Sequence, residues 1–230
     1  MSFFASLEIV FLAMLIHAFL QLVPSVFTIF YHYASGKKSS RVADDFSIFY
    51  ILGVEFFSVL MFILIYLLFF NIFIGEINLR STVFPWIMAG VLVALAILSF
   101  FAYFKKGRTT ELFISRKIAR QLTASAKNVK NRSDAFVLGL TTGVFELIFT
   151  LPLYILATTA IMEIDNFPRQ IFGFLYIIAV VAPIMVYLVL FRRGYNLAEI
   201  ERLRIKNKTF FRTIETIGYL VLACVMLIGF

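Results

Sequence analysis

Cysteine is almost absent: Cys224 is the one thiol in 230 residues. A lone cysteine excludes an intrachain disulfide, a CxxC pair and a cysteine metal cluster. Histidine is nearly as scarce, with only His17 and His32. Two histidines and a few carboxylates do not reach a metal-ligand motif, and no HExxH, P-loop or GxSxG elbow occurs. The expectation is therefore a chain with no metal, no cofactor and no enzymatic centre. Charge is sparse as well: 15% of residues are charged and 62% are hydrophobic. Folded as a soluble domain, such a chain would leave on the order of hundreds of Å² of apolar surface in water.

What is present is long apolar blocks, rich in phenylalanine (29 Phe, 10 Tyr, 1 Trp). A helix needs about 20 apolar residues to cross the hydrocarbon core. Six segments qualify: 5–32, 46–73, 85–104, 135–162, 170–191 and 210–229. Lipid cannot satisfy free backbone groups, so all six are expected to be helices, giving an all-α integral membrane protein with six transmembrane helices. The first, second and fourth are long enough to tilt or kink. Met1-Ser2-Phe3-Phe4 lacks a basic start and no small-residue cleavage site follows, so the first block is expected to remain as a span.

A net charge of +8 raises the question of nucleic acid. The distribution answers it. Lys37, Lys38 and Arg41 lie in one connection. Lys105, Lys106, Arg108, Arg116, Lys117, Arg120, Lys127, Lys130 and Arg132 lie in a second. Arg192, Arg193, Arg202, Arg204, Lys206, Lys208 and Arg212 lie in a third. Alternate connections carry only Arg80 and Arg169, so 19 of 21 basic residues fall on one side. The positive-inside rule makes that side cytoplasmic and both termini extracytoplasmic, in a plasma (inner) membrane. The expected partner is membrane lipid, not nucleic acid.

In connection 105–134, Leu112, Phe113, Ile118 and Leu122 alternate with basic residues at roughly helical spacing. This reads either as an amphipathic helix on the inner headgroups or as a solvated linker. Ser133 or Asp134 is the expected N-cap of the fourth span. Asn131-Arg132-Ser133 and Asn207-Lys208-Thr209 match the glycosylation pattern by chance, since both lie on the expected cytoplasmic side.

The chain divides into residues 1–104 and 135–230, three spans each, joined by the basic connection 105–134. Phe11 to Leu22 aligns with Phe136 to Leu147, placing Gln21 opposite Glu146, and a proline follows each at Pro24 and Pro152. Phe49-Tyr50-Ile51-Leu52 in the second span matches Leu175-Tyr176-Ile177-Ile178 in the fifth. Gly90-Val91-Leu92-Val93 in the third matches Gly218-Tyr219-Leu220-Val221 in the sixth. An odd number of spans per half makes the two repeats inverted, an arrangement that places a site near the midplane on interrupted helices. Pro24 and Pro152 are the expected interruptions.

Polar groups at membrane depth point to function by default. His17, Gln21, Ser25, Thr28 and His32 follow steps of four and three along one face of the first span. Thr142, Glu146, Thr150, Tyr154 and Thr158 recur every four residues in the fourth, and Glu55 lies three turns into the second. The functional reading is a polar cleft between the first and fourth spans. Its substrate- or ion-binding candidates are His17, Gln21, Ser25, Glu55, Glu146, Thr150 and Tyr154. Glu146 binds a cation or carries a proton, with His17 as its partner. The structural reading is that the hydroxyls are packing contacts between helices and that Glu55 snorkels to the interface. His32 and Glu8 read as interfacial, and Glu163 and Asp165 as solvated loop charges.

Gly143-Val144-Phe145-Glu146-Leu147-Ile148-Phe149-Thr150-Leu151-Pro152-Leu153-Tyr154 resembles the fourth span of CcdA, the membrane thiol–disulfide carrier related to the DsbD core. Val23-Pro24-Ser25 and Gly36-Lys37-Lys38 resemble the family's proline-cysteine start and basic loop. The resemblance covers nearly the whole chain in span order and loop lengths. It implies two inverted three-span repeats with interrupted first and fourth helices, a plan shared with LysE-type and metal-ion exporters. Ser25 and Phe149 stand where the family has its redox cysteines, and Ile148 where it has a proline. A serine or a phenylalanine cannot cycle through a disulfide, and Cys224 has no cysteine partner, so electron transfer is not carried over. Two functions remain. One is transport of a small solute or ion through a midplane site. The other is a non-catalytic membrane scaffold that binds a partner membrane protein or forms a homo-oligomer.

Overall fold

The computed structural model describes residues 3–21, 40–74, 83–104, 116–164, 166–193, 206 and 208–229. Among these residues there are seven helices and no strand: α1 (Phe3–Gln21), α2 (Ser40–Ile74), α3 (Val83–Phe104), α4 (Arg116–Lys127), α5 (Arg132–Met162), α6 (Asn166–Arg192) and α7 (Lys208–Gly229). Among the described residues, three stretches are long and apolar enough to cross a membrane: Asp45–Phe70, Val83–Phe101 and Arg132–Met162. Shorter apolar stretches, Phe3–Ala18, Pro168–Pro183 and Thr213–Ile228, lie in α1, α6 and α7. Residues 22–39, which include Pro24, Ser25, Thr28 and His32, lie outside the described residues, as do Leu112, Phe113 and Asp165. Gln21 ends α1, and its side chain is likewise outside the description.

The helices interlock across the sequence. α1 packs against α5, α6 and α7, while α2 packs chiefly on α5 and α3 on α7. On α1 the buried face runs Ser6, Ile9, Val10, Ala13, Ile16 and His17, a three-to-four-residue stripe, with Phe4, Phe11 and Leu15 outside it. The outward faces stay strongly apolar: Phe56 and Leu68 on α2, Trp86 and Phe101 on α3, Phe174 on α6.

The closest approach is between α2 and α5. A Cβ at Gly53 would run into the Phe136 carbonyl oxygen, and one at Gly139 would run into the Tyr50 carbonyl oxygen. The Gly53 and Gly139 positions are near enough that a Cβ on Gly53 would lie 3.1 Å from the Gly139 Cα. One turn on, Gly143 meets the Phe57 ring, 2.6 Å from its would-be Cβ. Gly139-Leu140-Thr141-Thr142-Gly143 is thus a GxxxG face, on which missing side chains let two backbones touch.

Both ends of α5 are closed by side chains. Its N-cap is Asn131, not Ser133 or Asp134 as expected. Asn131 has extended φ and ψ, and its Oδ1 accepts from the Asp134 amide at 2.8 Å. Asp134 is the reciprocal member: its Oδ2 accepts from the Lys130 amide at 2.9 Å. Sequence spacing alone did not separate the cap from its third-position partner. Asn131→Ala is expected to cost about 1 kcal/mol of stability, the ordinary value of an N-cap, read as a lower thermal midpoint in detergent. At the other end Arg169 donates from Nε to the Ile164 carbonyl and from a terminal nitrogen to the Met162 carbonyl, both at 3.0 Å. This exception to the one-sided charge distribution is a helix C-terminal cap.

α5 also corrects the expected break at Pro152. The helix is continuous from Arg132 to Met162 with Pro152 inside it. Proline withholds one donor, from the Ile148 carbonyl, and a helix packed on neighbours tolerates that single loss. α4 is a helix as well: Leu122 and Ala126, one turn apart, are buried where α4 meets α5, and Lys127 is exposed. Its buried residues therefore pack on protein.

Candidate functional site

The buried polar groups form a ladder between α2 and α5 that ends on α1 and α6. The lowest rung follows an ion pair, Arg132 Nε to Asp45 Oδ2 at 2.6 Å, with the Arg132 guanidinium 5.4 Å over the Phe49 ring. Next, the Tyr50 hydroxyl donates to Thr142 Oγ1 at 3.4 Å, and Thr142 donates onward to the Leu138 carbonyl at 2.9 Å.

Glu55 and Glu146 make the second rung, one from each helix and within electrostatic reach of each other. Glu55 is 9% exposed, and neither of its carboxylate oxygens has a hydrogen-bond partner among the described residues. Glu146 is half-buried and also lies within electrostatic reach of Tyr50 and Tyr154. Thr150 is buried, but its hydroxyl donates to the Glu146 carbonyl at 3.2 Å, so it serves the helix backbone. Thr141 and Thr159 do the same with the carbonyls four residues before them.

The third rung is aromatic. Ser58 and Tyr154 are hydrogen-bonded, and Tyr154 also lies within reach of both carboxylates. The Tyr154 ring meets the His17 ring edge-on at 4.8 Å and the Tyr176 ring at 6.2 Å. His17 is fully buried, with Nδ1 3.0 Å from the Tyr176 hydroxyl and Nε2 without a hydrogen-bond partner among the described residues. Tyr176 stacks on Phe62 at 5.2 Å and has Tyr219 of α7 as an electrostatic neighbour. Beside it, Ser58, Val59, Phe62, Tyr154, Tyr176, Ile177, Val180 and Val181 line a cleft of about 10 Å³, room for about one water molecule.

Of the residues expected to form the site, the structure brings together Glu55, Glu146, Tyr154 and His17. His17 is not paired with Glu146; its hydrogen-bond partner is Tyr176. Ser25 and Pro24 lie outside the described residues, and nothing is described of the Gln21 side chain. No group of three metal-ligating side chains occurs among the described residues. Tyr50, Ser58, Tyr176 and the buried Glu215 of α7 were not singled out as site residues from sequence. Their signals were present: Tyr50 and Tyr176 fall in similar tetrapeptides, Phe49-Tyr50-Ile51-Leu52 and Leu175-Tyr176-Ile177-Ile178, and Glu215 is an acid inside an apolar run. No family model, curated protein or solved structure matches the chain.

Proposed function

We propose that the chain is a six-span membrane transport protein on the CcdA/LysE-like plan, moving a small solute or ion through a site between two inverted three-helix halves. The basic connections face the cytoplasm and both termini face outward across the plasma (inner) membrane. The observation that carries the reading is the Glu55–Glu146 pair, two carboxyls inside an apolar bundle, one of them buried with no donor among the described residues. Groups of this kind are expensive at membrane depth and are kept for ion or proton handling.

Packing supports the repeat. If α1, α2 and α3 exchange with α5, α6 and α7, the α2–α5 contact becomes α6–α1, while α3–α7 and α1–α5 map onto themselves; all of these contacts occur. The exchange reaches individual bonds. The alignment that pairs Phe11 with Phe136 pairs His17 with Thr142, and the second-span alignment pairs Tyr50 with Tyr176. The Tyr50–Thr142 and Tyr176–His17 hydrogen bonds are therefore counterparts.

Purified protein in liposomes tests the reading against a panel of radiolabelled monovalent cations, divalent cations and basic amino acids. At least one is expected to enter faster than into protein-free liposomes. Glu146→Gln is expected to slow that uptake about tenfold, the equivalent of about 1.4 kcal/mol. Uptake of nothing in the panel, or uptake indifferent to Glu146→Gln, overturns it. The hydroxyls of Thr142 and Thr150 donate to their own helix backbone, which favours a second reading, a non-catalytic scaffold or subunit. That reading predicts no uptake and a fixed membrane partner that copurifies in mild detergent.

A further inference from the structure

We propose that the basic side of α4 binds anionic phospholipid headgroups, at the membrane edge where the apolar stretches of α2 and α5 begin. The inference rests on the membrane reading and is independent of whether the chain carries a solute. Three observations carry it.

The first is where α4 sits. The Arg132 guanidinium bonds Asp45 at 2.6 Å, and these two residues open the stretches of α5 and α2 that are long and apolar enough to cross a membrane. They stand at one level and so mark one edge of the apolar layer. Residues 128–131 alone separate α4 from Arg132. That connection is tied down at both ends: the Asn128 amide donates to the Ser125 carbonyl at 3.0 Å, and the Lys130 amide to Asp134 Oδ2 at 2.9 Å. The end of α4 is therefore held at this edge.

The second is which way α4 faces. Leu122 and Ala126 are buried where α4 meets α5. At about 3.6 residues per turn, positions 116, 117, 120 and 127 lie about 100–160° around the helix from the line of those two. These positions are Arg116, Lys117, Arg120 and Lys127. Gln121, Ala124 and Lys127, which share the side away from α5, are exposed. One side of α4 thus packs on protein and the other, basic, side is turned outward.

The third is charge. α4 carries those four basic residues and no acid in its 12 residues. Two acids stand at the same edge, and both are engaged: Asp45 with Arg132, and Asp134 with the Lys130 amide. A surface of one sign at a bilayer edge is complementary to phosphodiester headgroups. Arginine offers paired donors to phosphate oxygens, and lysine a point charge.

Electron spin resonance of the full chain in phosphatidylcholine liposomes tests this, with spin-labelled phosphatidylglycerol or phosphatidylcholine as the probe. Phosphatidylglycerol is expected to be held at the protein about tenfold more strongly than phosphatidylcholine, and the preference to shrink in high salt. Arg116→Gln, Lys117→Gln and Arg120→Gln combined are expected to abolish most of it. Arg202→Gln, Arg204→Gln and Lys206→Gln combined, the same loss of charge in the third basic connection, are expected to keep it. Lys127→Gln alone, at an exposed position, is expected to lower it about twofold, and it serves where the triple variant fails to fold. Equal retention of the two lipids, a preference that survives the α4 variants, or one lost equally in both triple variants overturns the proposal. Nucleic acid or an acidic polypeptide held on α4 in place of the lipid overturns it as well. A protein that fails to enter liposomes removes the membrane reading itself, whereas one that enters and shows no preference removes only the α4 claim.

Discussion

Gly139→Leu abolishes recovery of monodisperse protein. The added side chain has no direction in which to relax, because its Cβ already meets the Tyr50 carbonyl oxygen and comes within 2.9 Å of the Val54 nitrogen. The atoms in the way are backbone, so α2 and α5 must separate along their most extensive contact. Overpacking in a well-filled core costs about 1–3 kcal/mol, and a backbone clash at a helix crossing belongs at or above the upper figure. Against a total stability of about 5–15 kcal/mol the loss is severe. Fluorescence-detected size-exclusion chromatography with a detergent melt provides the measurement. Gly143→Ala is milder, since the obstacle there is the Phe57 ring, and Gly90→Ala is neutral, with no atom within 4 Å of its added Cβ. A Gly139→Leu melt that matches that of Gly90→Ala would show that α2 and α5 do not touch in this way.

Glu55→Met raises the thermal midpoint and, on the transport reading proposed above, stops uptake. Methionine fills a similar volume and asks for no hydrogen bonds. Leaving a buried polar group unsatisfied costs about 1–3 kcal/mol, and the substitution returns a gain of that order. Glu55→Gln keeps two polar atoms in the same place and gains less. The pair of outcomes is diagnostic, because a substitution that stabilises the bundle while stopping flux marks a residue retained for function at the expense of stability. A fall in the midpoint of Glu55→Met would mean that Glu55 holds the bundle together, and the site would lose its central member.

Much of the helical architecture was legible because hydropathy in long runs is a strong signal. The segments expected at 46–73, 85–104 and 135–162 fall on α2, α3 and α5 to within a few residues, apart from the early start of α2 at Ser40. Glu146 and His17 stood out as costly groups in apolar runs. The partnerships were not legible. Tyr176 takes His17 Nδ1 across 159 positions of sequence, and no periodicity encodes such a pairing. Tyrosine also misleads, since its ring reads as packing while its hydroxyl carries the polar contact. The threonines of α5 failed in the opposite sense. Their four-residue spacing looks like a lined cleft, yet Thr142 and Thr150 donate to carbonyls of their own helix. The Gly139–Gly143 spacing is a readable signal of close helix approach.

The packing of α1, α2 and α3 against α5, α6 and α7 has a consequence for how the chain is made. The first three helices leave the ribosome with no α5 for Gly53 to press against and no Tyr176 for His17. Until α5 and α6 are made, a glycine notch, an acid and a histidine lack the neighbours that cover them in the folded chain. The newborn first three helices are thus natural clients for chaperones and proteases. A gene split between residues 104 and 116 would yield stable protein only when both fragments are produced together.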